Sequence, residues 1–153
     1  MSGGSMALVF FEEVDSGHYS YLYGMLGERE PTQNISHSVM PSYDQHCRFC
    51  MSNPYRYWYV CKDSNYDLIG NCYITWKGEI GLFVEKDRQG KGLGSSILKS
   101  LILKHHNDFP DGLLANINPA NEKSKRLFGK FGFGKIQETY KMVWEDTFSS
   151  SPS

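Results

Sequence analysis

The period of the apolar positions changes several times along this chain, and the changes outline its elements. Leu8 to Glu12, with Val9, Phe10 and Phe11 in a row, predicts a short strand. Tyr19, Leu22, Tyr23 and Leu26 then recur at helical spacing behind Asp15 or Ser16 as a cap, predicting a helix that ends near Gly27. Glu28 to Pro41 shows no period. Ser42 offers an N-cap for a second helix with His46, Phe49 and Cys50 on one side, stopped by Asn53 and Pro54.

Aromatic and β-branched residues dominate Tyr55 to Cys61, Lys62 to Asp67 is polar, and Leu68 to Trp76 returns to strand character, so the segment predicts a hairpin. Tyr55, Tyr57 and Tyr59 are expected on one face and Trp58 on the other. After a turn at Lys77 and Gly78, Glu79 to Glu85 predicts a third strand, followed by glycine-rich Gln89 to Gly94 and a helix from Ser95 to His106. Leu113 to Ile117 has the apolar character of a buried strand. Asn118 to Asn121 opens a helix through Lys130, and Phe133 to Trp144 predicts one or two closing strands. Antiparallel strands first, then strand and helix in alternation, describe an α+β (mixed α/β) fold with one twisted central sheet flanked by helices.

Length and composition narrow the picture. At 153 residues one domain is expected over residues 7–148, with Met1 to Met6 set aside as a leader and residues 149–153 as a tail. A hydrophobic fraction of 40% with a net charge of −1 fits a soluble globular protein and gives no global basic surface for nucleic acid. No run has the apolar length of a membrane span and the start has no signal pattern, so no membrane partner is expected and the cytoplasm is the expected location. The four cysteines include one C-x-x-C pair, Cys47 and Cys50, but no second pair completes a metal site, and reduced thiols with no metal are the expectation.

Candidate chemistry concentrates at Gln89, Gly90, Lys91, Gly92, Leu93 and Gly94, between a strand and a helix. Backbone N–H groups at a helix start, with the positive end of its dipole, can hold a diphosphate, and glycines let the backbone approach it. Neither the Walker nor the Rossmann spacing is present, and a glycine cluster by itself is equally a tight turn. This stretch resembles the Q/R-x-x-G-x-G/A signature of the GNAT superfamily of acetyl-CoA-dependent N-acetyltransferases. Downstream, Asn121, Ser124, Leu127, Phe128, Lys130, Gly132 and Phe133 are similar to that family's N-x-x-S-x-x-L-F-x-K-x-G-F helix.

The resemblance implies a mostly antiparallel sheet with a splayed parallel strand pair at the cofactor site, acetyl-CoA as cofactor, and transfer of its acetyl group to a primary amine. It places the CoA diphosphate on the loop Gln89 to Gly94 and the pantetheine and thioester along Leu82, Phe83 and Val84, with the Phe83 N–H as oxyanion donor. Asn118, Asn121, Ser124 and Phe128 would contribute from the second motif, Asn121 equally well as a simple helix cap. Lys91 would add charge near the phosphates.

Glu79 stands where some family members carry the general base, although a solvated turn carboxylate accounts for it as well. Many relatives carry a Tyr acid where this chain has Phe128, so the proton for the CoA thiolate would come from Ser124 or water, or the thiolate would leave unassisted. The same departure leaves a noncatalytic acyl-CoA sensor as a competing reading. Acceptor recognition is expected from the first helices and hairpin, with His37, His46, Tyr57 and Trp58 as candidates. The His-bearing helix before an aromatic hairpin resembles the branch acting on amino-sugar nucleotides and protein N-termini. A small-molecule or peptide amine is thus the expected partner, and a homodimer is compatible with the sequence.

Overall fold

A computed structural model of the protein describes residues 7–29 and 39–144. Five strands form one sheet in the order β1 (Phe10–Glu13), β2 (Tyr57–Lys62), β3 (Leu68–Ile74), β4 (Glu79–Val84), β5 (Leu114–Ala115). Neighbours are antiparallel except β4 and β5, which run parallel because a helix, α3 (Leu93–His105), connects them. The remaining helices are α1 (Tyr19–Gly27), α2 (Tyr43–Met51) and α4 (Glu122–Lys130).

Local chemistry explains the helix starts. Ser42 and Gln45 form a capping box on α2: the Gln45 N–H donates to Ser42 Oγ at 3.1 Å and the Ser42 N–H to Gln45 Oε1 at 2.8 Å. A turn capped by Asp15, whose carboxylate accepts from the Gly17 N–H, leads into α1. Asn53, in the left-handed region at φ 57°, turns the chain away after α2.

One face of the sheet carries the main core, in which Tyr59, Cys61, Cys72, Ile74 and Ile80 pack with Ile97, Leu98 and Leu101 of α3 and Phe128 of α4. The C-terminal end of α3 is stapled to β2. Tyr59 Oη lies 2.7 Å from His105 Nε2, His105 Nδ1 lies 3.0 Å from Asp108 Oδ2, and the Tyr57 hydroxyl donates to the same Asp108 oxygen at 3.0 Å. The Tyr57 ring also stacks on His105 with centroids 3.7 Å apart. Burial pushes the Tyr59 phenol up to about 12.

The opposite face carries an aromatic row that the end of α1 and α2 approach: Phe49 and Tyr55 against Trp58, Tyr55 stacked on Tyr73 at 3.7 Å, and Tyr73 beside Phe83. Tyr55 therefore lies with Trp58, opposite to the expected side. The strand begins only at Tyr57, so the alternation that holds from Tyr57 to Tyr59 does not extend back to Tyr55.

A second difference is at the C-terminal end, where residues 133–143 form no strand. Alternation says which way side chains would point, but a strand needs an edge to pair with. The sheet closes on a two-residue β5, and Ile136 and Tyr140 are 76% and 85% exposed.

Candidate active site

The backbone of β4 divides its hydrogen-bonding groups between two neighbours. The Thr75 N–H donates to the Glu79 carbonyl and the Glu85 N–H donates to the Ile69 carbonyl, each at 2.9 Å. Between them, Tyr73 pairs with Gly81 and Asn71 with Phe83. In an antiparallel ladder alternate residues turn both polar groups to the same neighbour, so the odd-numbered residues 79, 81, 83 and 85 serve β3. Ile80, Leu82 and Val84 face the other way, toward β5. There the pairing covers only Glu79 with Leu114 and Ile80 with Ala115. From Leu82 onward that edge has no strand partner, which makes a splayed parallel pair.

This register corrects one assignment. The Phe83 N–H is turned to β3 and is unavailable to a thioester, whereas the N–H groups of Leu82 and Val84 face the open edge. A backbone donor has no side-chain signature, and only the register distinguishes residue 82 from residue 83.

The chain leaves β4 through a junction tied by side chains. The Tyr21 hydroxyl donates to Glu85 Oε2 at 2.6 Å, Arg88 lies 3.1 Å from Asp63 Oδ2 and 3.5 Å from Glu85 Oε1, and the Gln89 amide donates to the Val84 carbonyl at 3.1 Å. Gln89 thus braces the loop with its side chain. Gly90 and Gly92 follow with φ of 81° and 78°, values that L side chains adopt only under strain, and an added Cβ at either would meet no atom within 4 Å. Gly92 is the N-cap of α3 and no side chain caps this helix start. The N–H groups of Leu93, Gly94 and Ser95 are therefore left without a side-chain cap at the head of a 13-residue helix. Lys91 is exposed beside them, and the Lys130 ammonium reaches across from α4 to Ser95 Oγ at 3.1 Å.

Glu79 is held on three sides. The Thr75 hydroxyl donates to Oε1 at 3.0 Å, the Asn116 amide donates to Oε2 at 2.6 Å, and the Glu79 N–H donates to Thr75 Oγ1 at 3.0 Å. Each carboxylate oxygen keeps a lone pair for a proton, and Asn116 fixes the carboxylate across the start of the splay. The side chain shares the face of Gly81 and Phe83.

The second motif is mixed. Asn121 caps α4, its Oδ1 accepting from the Ser124 N–H at 3.1 Å, and Asn118 Oδ1 accepts from the Ala120 N–H at 2.9 Å. Ser124 is half-buried. Phe128, expected to touch the cofactor, is instead spent on the core: it is 5% exposed and packs edge-on against Phe133 at 5.1 Å. An apolar ring at this helix position gains more from burial than from an open cleft.

Two acceptor candidates are also corrected. His46 is 4% exposed, with Nε2 2.9 Å from the Tyr19 carbonyl and Tyr23 and Tyr43 packed round its ring, so it clamps α2 to α1. Tyr57 belongs to the His105 staple on the core face. Trp58, its Nε1 3.4 Å from Asn71 Oδ1, does lie on the face of Phe83. His37 lies outside the described residues. Among the described residues no three His, Cys, Asp or Glu side chains converge as metal ligands, and the four cysteines are unpaired thiols.

Three groups at the site escape a reading by motif: Asn116, Tyr73 and Arg29. Tyr73 lies so close over β4 that a Cβ on Gly81 would fall 2.0 Å from its Cζ, and burial raises its phenol above the ordinary value, keeping the hydroxyl protonated. Arg29 follows α1 and lays its guanidinium over the Phe83 ring, 3.8 Å from the centroid. Only the folded sheet brings these residues to β4.

Known structures share this architecture. The spermidine N-acetyltransferase from Vibrio cholerae, solved with CoA and spermine, superposes with a TM-score of 0.68 over 84% of this chain and 82% of its own, at 16% identity. An N-acetyltransferase from Staphylococcus aureus Mu50 gives 0.65 over 83% and 84% at 19% identity. The yncA protein of Salmonella typhimurium, solved with its cofactor acetyl-CoA, gives 0.65 over 83% and 80% at 19% identity. No curated protein sequence matches the chain. The family model of FR47-like proteins matches residues 60–142, more than half of the chain, from within β2 to past α4. With the splayed β4–β5 pair and the glycine loop at the head of α3, that match places the protein in the FR47-like family of the GNAT superfamily.

Proposed function

We propose that the protein transfers the acetyl group of acetyl-CoA to a primary amine. The observation that carries this reading is the open half of β4, which continues directly into an uncapped helix start. A diphosphate fits the cradle of Leu93, Gly94 and Ser95 N–H groups, and a pantetheine arm fits the edge left unpaired by β5, with Val84 and Leu82 as its backbone partners. The comparison structures solved with CoA or acetyl-CoA support the choice of cofactor.

In the reaction a lone pair on the amine attacks the thioester carbonyl, the C–N bond forms, and the C–S bond breaks. The Leu82 N–H donates to the carbonyl oxygen as it gains charge, a contribution on the order of a hundredfold in rate. Glu79 starts three residues earlier, roughly 10 Å along the strand, on the face of Phe83. It therefore takes the amine proton through water. The CoA thiol has an ordinary value near ~8.5, so its thiolate leaves with water or Ser124 as proton source, and Phe128 has no part in that step. The acceptor approaches over Trp58, Tyr73 and Phe83. Both an amino-sugar nucleotide and a small free amine satisfy this chemistry.

Release of free CoA thiol from acetyl-CoA in the presence of an amine panel tests the proposal. Turnover that requires an amine is the expected result. Tight CoA binding with no amine-dependent thiol release would favour the noncatalytic sensor instead.

A further inference from the structure

We infer that Arg29 anchors an anionic group of the acceptor, so that the amine this protein acetylates carries a carboxylate or a phosphate and is not a polyamine. The inference rests on the acetyltransferase reading above and assigns the substrate class of that same site.

Among the described residues Arg29 packs on the Phe83 ring but has no hydrogen-bonding or ionic partner. Its Nε is buried and has no hydrogen-bond partner among the described residues. The guanidinium contributes to no ion pair there, although carboxylates are close at hand. Glu28 turns aside and accepts from the Lys86 N–H at 2.9 Å, and Glu85 is taken by Tyr21 and Arg88. A buried donor left unmet costs stability, and a guanidinium removed from water costs more. A buried guanidinium beside β4 with no acidic partner among the described residues suits an anionic ligand.

The surroundings set the ligand's charge. The guanidinium lies over Phe83 and, with Met25, Glu28, Val84, Lys86 and Gln89, lines a small cavity at the end of β4, in which Glu28 is already engaged by the Lys86 N–H. The terminal nitrogens of the fork, which no described side chain engages, can meet a planar or tetrahedral oxyanion. Burial pulls the guanidinium down from its ordinary value, and a bound anion would reverse that cost. The charges on this face are ordered: Glu79 at the start of β4, Arg29 over Phe83 four residues later. A ligand whose amine stands at the Leu82 N–H can turn an anion toward the guanidinium over Phe83, whereas a polyamine would place a second cation against Arg29.

The cavity adjoins the loop that would hold the CoA diphosphate, so the cofactor is a second source of an anion for Arg29. The test separates these sources. Thiol release and calorimetric binding to the acetyl-CoA-loaded protein are measured for matched pairs: β-alanine with propylamine, and phosphoethanolamine with ethanolamine, alongside spermidine. The wild type should favour at least one anionic member over its neutral partner and over spermidine by about ten- to a hundredfold. Arg29→Gln should abolish that preference through KM, Arg29→Lys should restore part of it, and acetyl-CoA affinity should change by less than about twofold. A preference for spermidine or the neutral amines, or one that survives Arg29→Gln, overturns the assignment. So does a loss confined to acetyl-CoA affinity, which would give Arg29 to the cofactor. If no amine releases thiol the acetyltransferase reading fails, and calorimetry still decides the anion site: binding of an anionic ligand lost in Arg29→Gln upholds it, and no binding by the wild type overturns it.

Discussion

A methyl group at Gly92 isolates the anion cradle from the rest of the fold. Gly92 has φ 78° and nothing within 4 Å of an added Cβ, so Gly92→Ala makes no clash. Its cost to the free protein is the left-handed conformation alone, roughly 1–2 kcal/mol, or about 2–8 °C in Tm for a domain of this length. Gly112 has φ 105° and equally open surroundings, but sits far along the chain from the α3 start, and Gly112→Ala should lose a similar amount. Ligand binding separates the two. CoA at a hundredfold its Kd stabilises by ~2.7 kcal/mol, and a tenfold weaker Kd at the same concentration leaves about 1.4 kcal/mol. A methyl group projecting into the space where the diphosphate would lie should weaken CoA at least tenfold, so Gly92→Ala should lose about half of the CoA-induced thermal shift. Gly112→Ala should keep all of it. Equal CoA shifts in the two variants, with equal losses of Tm without ligand, would refute the placement of the diphosphate.

Two further outcomes follow from named contacts. Glu79→Gln should lower kcat by a hundredfold or more with CoA affinity retained, and the deficit should narrow as pH approaches the amine's own value near ~10, where free amine needs no base; a flat deficit across that range would remove Glu79 from proton transfer. Hydrogen bonds from His105 and then Tyr57 hold the Asp108 carboxyl below its ordinary value, so its contribution is present above the unfolded value near ~3.9 and is lost as pH falls through the lower folded value. The urea midpoint of Asp108→Asn should accordingly fall below wild type at pH 7, and the gap should close in acid; a gap unchanged with pH would show that the staple does not depend on the carboxylate.

How much of this was legible in the sequence depended on whether the cause was local. Ser42 with Gln45, Asn121 with Ser124, and Gly90 with Gly92 are contacts or conformations set within a few residues, and the α2, α4 and loop positions followed from them. The strand order through β4 was readable because each turn between Tyr57 and Val84 is short. Three things depended on partners distant in sequence. Residues 133–143 have a strand pattern but no edge to join, because β5 is paired over only two residues. Phe83 and Leu82 look alike in sequence, and only the pairing with Asn71 and Tyr73 shows which N–H is available. Arg29 stands in an aperiodic stretch, and its meaning comes from lying on Phe83, 54 positions further along the chain. His46 shows the converse: its type invited a role in recognition, while the fold needed it as a buried clamp.

Amide hydrogen exchange along β4, followed residue by residue with and without acetyl-CoA, tests the central claim most directly. Phe83 should be protected in both states because its N–H already serves β3. Leu82 and Val84 should exchange readily in the free protein and gain protection when acetyl-CoA is added. Protection gained at Phe83 and not at Leu82, or an open edge that acetyl-CoA leaves unchanged, would contradict the account.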